Sequence, residues 1–484
     1  MKENHKDKLF SLICAFVFIT ICSPCSFLYK INDWCDTNTL FNVGRAMIKG
    51  KVLYRDIYDQ KGIYCFFMQS VAAIISKNTF LGVYIIEVIC FSIFIYYTIH
   101  LWKEINYAGD INIFIIPYLV LFVFLIVISV AFYRGGSVEE LSLPLFMYAI
   151  YKIVCFINGK SDEFLWVKLG MVTAVLFWIK FTMCIFMIGI AFYVLYYCLK
   201  KKDMNKLFPI AGKWLVGMFI LTIPVIIYCM VTHSFFDLFK YYIYENMFTY
   251  TKSRASLFRI IIFVVTKLNF LIVVLGIIAL VKKAFPKKYV PLLICISMAG
   301  VIYSLFLTYT VVYVLLIFVP VYGLLWAGII KLFDEAVKDE VKILKKVPKE
   351  LVTVLLILVF ALGACAFSEN TKYIKYKKDD YIYYRYASLI NSKKDSTLLV
   401  YNYFDEGFYV AAKKIPEVKY FTKYNIKMDD AIKEQIDYVN QGKADFIITV
   451  DEKPEEVEKN YTLIKDEEYT NYYTKATYYL WEKK

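Results

Sequence analysis

Asp33 and Asp36 stand three residues apart in the polar segment Tyr29–Lys61, and Arg55, Asp56, Asp59 and Lys61 follow in the same segment. In a helical turn, side chains at i and i+3 share a face. A carboxylate held there can take the proton of an attacking hydroxyl. Cations beside carboxylates just before an apolar stretch suit a phosphorylated lipid head group. Two plainer readings stand beside this one. Asp is favoured at helix N-caps, so Asp33 and Asp36 can be caps, and the Arg55–Lys61 cluster can be solvated charge against anionic lipid.

Two further segments bring ionisable groups to the ends of apolar runs. Tyr133–Pro144 (YRGGSVEELSLP) carries Arg134, Glu139 and Glu140, with Gly135-Gly136 allowing a tight turn or a close backbone approach to a ligand. Tyr241–Leu257 carries Glu245, Lys252 and Arg254 among aromatic residues, which are expected at membrane interfaces in any case.

The elements that must position these groups are mostly membrane spans. Of the 484 residues, 60% are hydrophobic, and apolar runs of roughly 20 residues, the length that crosses a bilayer core, recur from residue 9 to residue 367. From Ser368 onward no run has that length. The stretch Leu9–Leu28 is long for a signal peptide and reads as an uncleaved first span. Gly62–Ile75 is too short to cross and reads as re-entrant or interfacial. Ten more spans are expected near 80–101, 111–132, 138–157, 164–180, 181–199, 209–231, 258–281, 289–307, 309–330 and 350–367, so about eleven in all. With a basic N-terminus inside, the Lys-rich loops at 200–206, 282–288 and 331–350 all fall on the cytoplasmic side. The acidic and aromatic segments then share the opposite face. Within the first of them, Leu40, Phe41, Val43, Met47 and Ile48 recur at helical period between Thr37 and Lys49, with Gly50 as the stop. This predicts an amphipathic helix lying on the membrane.

The predicted fold class is therefore an α-helical polytopic membrane protein with juxtamembrane helices and a small α/β extracytoplasmic domain after the last span. The domain division is 1–367 and 368–484. In the latter, strands are expected at Leu398–Tyr403, Val418–Thr422 and Asp445–Val450, helices at Glu406–Lys413 and Asp429–Asn440, and a closing hairpin from Tyr461 to Trp481. The net charge of +14 sits in short loops, which argues for orientation in a membrane and against nucleic acid. Most of the 12 cysteines lie inside apolar runs as small hydrophobes, and the 3 histidines are scattered, which disfavours a zinc site. Neither GxxxxGK[ST] nor GxGxxG is present, so no cytosolic nucleotide site is expected.

The stretch from NDWCD (Asn32–Asp36) to YRDIYDQKG (Tyr54–Gly62) resembles the first outer loop of the GT-C class of membrane glycosyltransferases. That class holds the protein O-mannosyltransferases, the lipid A aminoarabinose transferase and bacterial proteins related to glycosyltransferase family 39. The shared pattern is a span, an outer loop with an acidic pair, a juxtamembrane helix, then a tyrosine-acid pair and a lysine before an apolar helix. Here Lys61 is followed by Gly62-Ile63, where better-known members often carry two prolines. The resemblance implies a GT-C-like fold in the cell membrane and a polyprenyl-phosphate-linked sugar as donor. It implies a hydroxyl on a glycan, lipid or protein as acceptor, with the hexosyl or pentosyl group transferred by inversion. Asp33 or Asp36 would be the catalytic base, and Arg55 and Lys61 would hold the donor phosphate. Asp56, Arg134, Glu139, Glu140, Glu245 and Arg254 are substrate-contacting or structural candidates. Some members of the class hold a divalent metal with acidic residues, and a metal site is left open here. A flippase or transporter, and a polymerase or ligase of lipid-linked glycans, are the alternatives. A flippase would call for charge at the membrane midplane and repeated halves. Glu87 is the main charge inside a span, and no repeat is evident.

Overall fold

Helices form at every stretch expected to span. The computed structural model describes residues 2–106, 115–160, 162–249, 256–268, 270–307, 312–337, 348–424, 429–471 and 475–484. Among these, seven helices are long and apolar enough to cross a membrane, or eight if the bent pair Leu257–Leu268 and Phe270–Val281 counts as one span. Ile115–Val127 and Leu165–Ile179 are apolar but shorter. The first helix runs Lys2–Cys22 rather than Leu9–Leu28. Pro24 accounts for the early stop, because a proline disfavours helical geometry in the residue before it. Ile63–Ile75 is a 13-residue apolar helix, as its length predicted.

The chain divides into two compact units. One comprises Met1–Ser23, Ile86–Ile223 and Lys252–Thr371, and the other Pro24–Ile85, Pro224–Thr251 and Lys372–Lys484. In the first unit the core is aromatic. The Trp102 indole N–H donates to the Gly323 carbonyl at 2.7 Å, and the Phe122 ring lies 5.0 Å from Trp326 and 5.5 Å from Trp102. The Lys2–Cys22 helix is held in this unit by a buried ion pair, Asp7 to Lys103 at 2.7 Å.

The second unit joins two short helices to the C-terminal domain. Cys35–Met47 and Ile63–Ile75 cross at Gly44, where a Cβ would come within 2.5 Å of the Gln69 carbonyl carbon, so only glycine admits this approach. The C-terminal sheet has the order β1-β2-β4-β3, with β1 Leu398–Val400, β2 Phe446–Val450, β3 Tyr461–Thr470 and β4 Lys475–Lys483. β1 and β2 run parallel, while β4 lies antiparallel to both β2 and β3. Helices Ile382–Ile390, Phe408–Ala411 and Asp429–Asn440 accompany the sheet. The strand expected at Val418–Thr422 does not form. Its polar backbone is satisfied elsewhere: Gln435 donates to the carbonyls of Tyr420 and Thr422, and the Tyr58 N–H donates to Lys419 O at 3.2 Å. A segment whose carbonyls are already used has no ladder to offer.

Candidate active site

Trp34 is the N-cap of Cys35–Met47, so Asp33 precedes the helix and Asp36 lies in its first turn. The two carboxylates therefore do not share a helical face. Both are half-buried. The helix itself is not half-exposed, as an amphipathic surface helix would be: every residue from Thr37 to Ala46 is buried.

Each aspartate acts on a different neighbour. The Asp33 charge adds to the upward push on Glu406, Tyr381 and Tyr383 of the C-terminal domain. The Asp36 charge instead adds to that on Asp59. Asp59 is 3% exposed, and burial raises its carboxyl above the usual range while Lys61 pulls the other way. Its Oδ1 accepts the Lys61 N–H at 2.9 Å, with the Lys61 ammonium 3.9 Å from the same oxygen. A cation this buried is strongly felt by an anion brought beside it, less what the neighbouring carboxylate offsets when ionised.

The loop that carries Lys61 is built on Tyr54. This residue is fully buried at φ +66°, a conformation costly for a bulky side chain. Its N–H donates to Ile57 O at 2.8 Å and its hydroxyl to Lys61 O at 2.6 Å, so the same residue folds the turn and fixes the lysine backbone. Asp56 braces the turn by accepting the Val52 N–H at 2.9 Å. Arg55 is exposed and donates twice to Asp56 at 2.8 Å and once to Thr232 O at 2.7 Å. The Arg55 hydrogen bond holds the Asp56 carboxyl below its usual range, and the same bond raises Arg55. Above this loop Tyr58, Tyr241, Tyr420 and Tyr424 pack edge to face and tilted, with the Tyr58 ring 4.9 to 5.3 Å from the others. Lys419 lies 4.2 Å over Tyr241. Glu245, 9% exposed, is bonded by the Thr249 hydroxyl and raises Tyr58 by its charge.

Arg134, Glu139 and Glu140 belong to the first unit. Arg134 sits 4.1 Å over the Tyr133 ring. Glu139 accepts from Lys180 and from the Tyr303 hydroxyl, both at 2.7 Å. Gly135 and Gly136 both take positive φ, and the Gly136 N–H donates to Glu87 at 2.5 Å, so the close contact made here is to the chain itself. Ser23 also donates to Glu87. Glu139, Glu87 and Lys180 thus link separate segments of this unit. Arg254 lies outside the described residues.

Sequence reasoning did not single out Arg45, Asn42, Asp405 or Glu406. Arg45 is 0% exposed and donates to Asn42 Oδ1 at 2.6 Å, and Asn42 donates to Asp405 at 2.8 Å. Asp405 also accepts the N–H groups of Gly407 and Phe408, capping the short helix there. Burial lowers Arg45 to about 10 and raises Asp405 to about 6. Glu406 accepts from Tyr478 and Asn471, and burial raises it to about 8. The available signal was Asn38, Asn42 and Arg45 recurring at helical spacing along the helix Cys35–Met47. Among the described residues no group of three or more His, Cys, Asp or Glu side chains is placed to hold a metal ion.

The fold is that of the GT-C class. Two solved structures of ArnT from Cupriavidus metallidurans superpose along nearly the whole chain. One is bound to undecaprenyl phosphate, with a TM-score of 0.62 and 11% identity. The other is in the apo state, with a TM-score of 0.63 and 10% identity. In both cases 98% of this chain and 97% of the other are covered. The profile of the putative competence-induced protein Ccs4 N-terminal domain matches residues 1–359, and the chain belongs to that family. No curated protein matches it in sequence.

Proposed function

We propose that the protein is a membrane glycosyltransferase that moves a hexosyl or pentosyl group from a polyprenyl-phosphate donor to an acceptor hydroxyl on the outer face of the cell membrane. The observation that carries this reading is the likeness to ArnT along 98% of the chain, in one case to a structure bound to undecaprenyl phosphate. The acceptor oxygen bonds to the anomeric carbon while the bond from that carbon to the phosphate oxygen breaks, inverting the centre. The proton passes to Asp33 or Asp36, and the electron pair leaves on the lipid phosphate. Lys61, buried beside Asp59, supplies the positive charge that this growing anion needs. Arg55 joins it by exchanging Asp56 for the phosphate. In this reading the N-terminus is cytoplasmic and the C-terminal domain lies outside.

The test supplies purified protein with a panel of radiolabelled polyprenyl-phosphate sugars and a mixed extract of envelope acceptors, and follows release of the lipid phosphate. Release from one donor supports the reading. No release from any donor counts against a transferase and favours a flippase for the same lipids, read by donor translocation in proteoliposomes.

A further inference from the structure

The second unit holds a cavity of about 460 Å³ whose lining includes no residue of the Asp59–Lys61 loop. Its floor is apolar: Phe27, Phe80 and Leu81 line it, with Phe27 58% and Leu81 38% exposed. Pro24, also in the lining, follows the first helix by two residues, and Leu81 opens the spanning helix Leu81–Asn106. The floor thus includes the first residue of a helix long and apolar enough to cross a membrane.

The rim has the opposite character. Lys30, Lys378 and Lys413 line the cavity and are exposed, and no Asp or Glu is among the lining residues. Among the described residues none of the three lysines is in an ion pair. Lys378 lies 5.3 Å over the Tyr384 ring, whose hydroxyl donates to Lys30 O at 2.7 Å, so one tyrosine braces two of the cations. Elsewhere in this unit Lys51 pairs with Glu417, Lys61 with Asp59 and Lys240 with Asp430. Three unneutralised ammonium groups around one recess raise each other's charged-state energy unless an anion enters.

We propose that this cavity binds the phosphate-bearing head group of a membrane lipid of net negative charge, with its acyl chains leaving over Phe27 and Leu81. An anion alone would use the rim but leave the exposed apolar floor uncovered. A neutral lipid would use the floor but leave the lysines uncompensated. The site is additional to the donor site at Lys61 and shares no residue with it.

The experiment reconstitutes the full chain in phosphatidylcholine nanodiscs with photo-crosslinkable phosphatidylglycerol and maps the crosslinked peptides. Labelling is expected on Pro24–Leu81 peptides. In Lys30→Gln/Lys378→Gln/Lys413→Gln, labelling there should need about a hundredfold more phosphatidylglycerol, each lysine being worth somewhat under tenfold near anionic lipid. The triple arginine variant should keep it, and Ala411→Trp, which fills the lining without touching charge, should also abolish it. Lys61→Ala should leave it unchanged. Melting temperatures in the same nanodiscs identify a variant that fails to fold, and the arginine and Ala411 variants then decide. Labelling indifferent to both the glutamine triple and Ala411→Trp overturns the site. Complete competition by millimolar inorganic phosphate with equal labelling by a crosslinkable phosphatidylcholine assigns the rim to free phosphate and overturns the lipid. Binding is read without turnover, so these outcomes are independent of the transferase assay.

Discussion

Asn42 donates its side-chain amide to Asp405 at 2.8 Å across 363 residues of chain, and the buried guanidinium of Arg45 donates to the same asparagine. A helix next to the proposed base is thereby locked to the C-terminal domain by a charge pair with an amide between. Removing one partner of such a pair leaves the other charge buried, which costs about 3–5 kcal/mol. Asp405→Leu should therefore lower the melting temperature sharply. Arg45→Met/Asp405→Leu should recover part of that loss, because neither charge is then stranded. Equal destabilisation by the single and double variants in a thermal scan would show that the cap on Gly407 and Phe408, and not the charge pair, is what Asp405 contributes.

Glu406 gives stability a pH dependence. Burial raises its carboxyl to about 8, and that of Asp405 to about 6, from 4.5 and 3.8. The folded chain thus holds protons that the unfolded chain has released. Stability is fullest below the unfolded values and declines as pH rises from about 4.5 towards about 8. Glu406→Gln cannot ionise, so its fall in melting temperature between about pH 5 and about pH 8 should be smaller than that of the parent. A steeper fall in the variant would contradict the sign.

Local period and length carried much of the fold. Ile63–Ile75 was legible because 13 apolar residues are too few to cross, and the final hairpin because alternating residues with many tyrosines favour strands. What was not legible depends on partners far along the chain. Val418–Thr422 has strand-like residues, but Gln435 and Tyr58 take its carbonyls. Asp33 and Asp36 have helical spacing, yet the helix begins after Trp34, and only the arrival of Glu406 and Asp59 shows that they face apart. Lys61 was legible as a cation near the membrane. Its burial against Asp59, and the strained Tyr54 that places it, were not.

The separation of the two aspartates bears on catalysis. Loss of a general base costs on the order of 100–10,000-fold in rate. Asp33→Asn should abolish transfer and Asp36→Asn should impair it severely, with folded protein retained in both. Because Asp33 adds to the push on Glu406, Asp33→Asn should also relax the pH dependence of melting through that group, whereas Asp36→Asn should act through Asp59. Near-normal turnover in both variants would return the pair to a structural role at the helix start.

The proposed orientation is open to labelling. Lys202 ends the helix Cys184–Lys201 and is exposed, and Lys459 is exposed in the C-terminal domain. In intact cells, a membrane-impermeant thiol reagent should reach Lys459→Cys at once and Lys202→Cys only after permeabilisation. The reverse order would put the C-terminal domain in the cytoplasm and move the candidate site away from the outer face.

Lys61 offers the sharpest test of the donor site. Its ammonium is buried, 3.9 Å from Asp59, and its backbone is fixed by the Asp59 carboxylate and the Tyr54 hydroxyl. If it neutralises the leaving phosphate, its effect belongs to the transition state. Lys61→Ala should then lower kcat/KM for the donor by at least about 100-fold, as removal of one preorganised stabilising group does. KM for the acceptor should change little. Lys61→Arg should restore only part of the rate, because a planar fork and a point charge place their donors differently. Tyr54→Phe, which removes the bond to Lys61 O but no charge, should cost activity while leaving lysine chemistry intact. A surface cation attracting anionic lipid predicts another pattern: a weak effect, lost in salt, and equal for lysine and arginine. Donor release indifferent to Lys61→Ala would leave a transferase standing and remove Lys61 from its donor site.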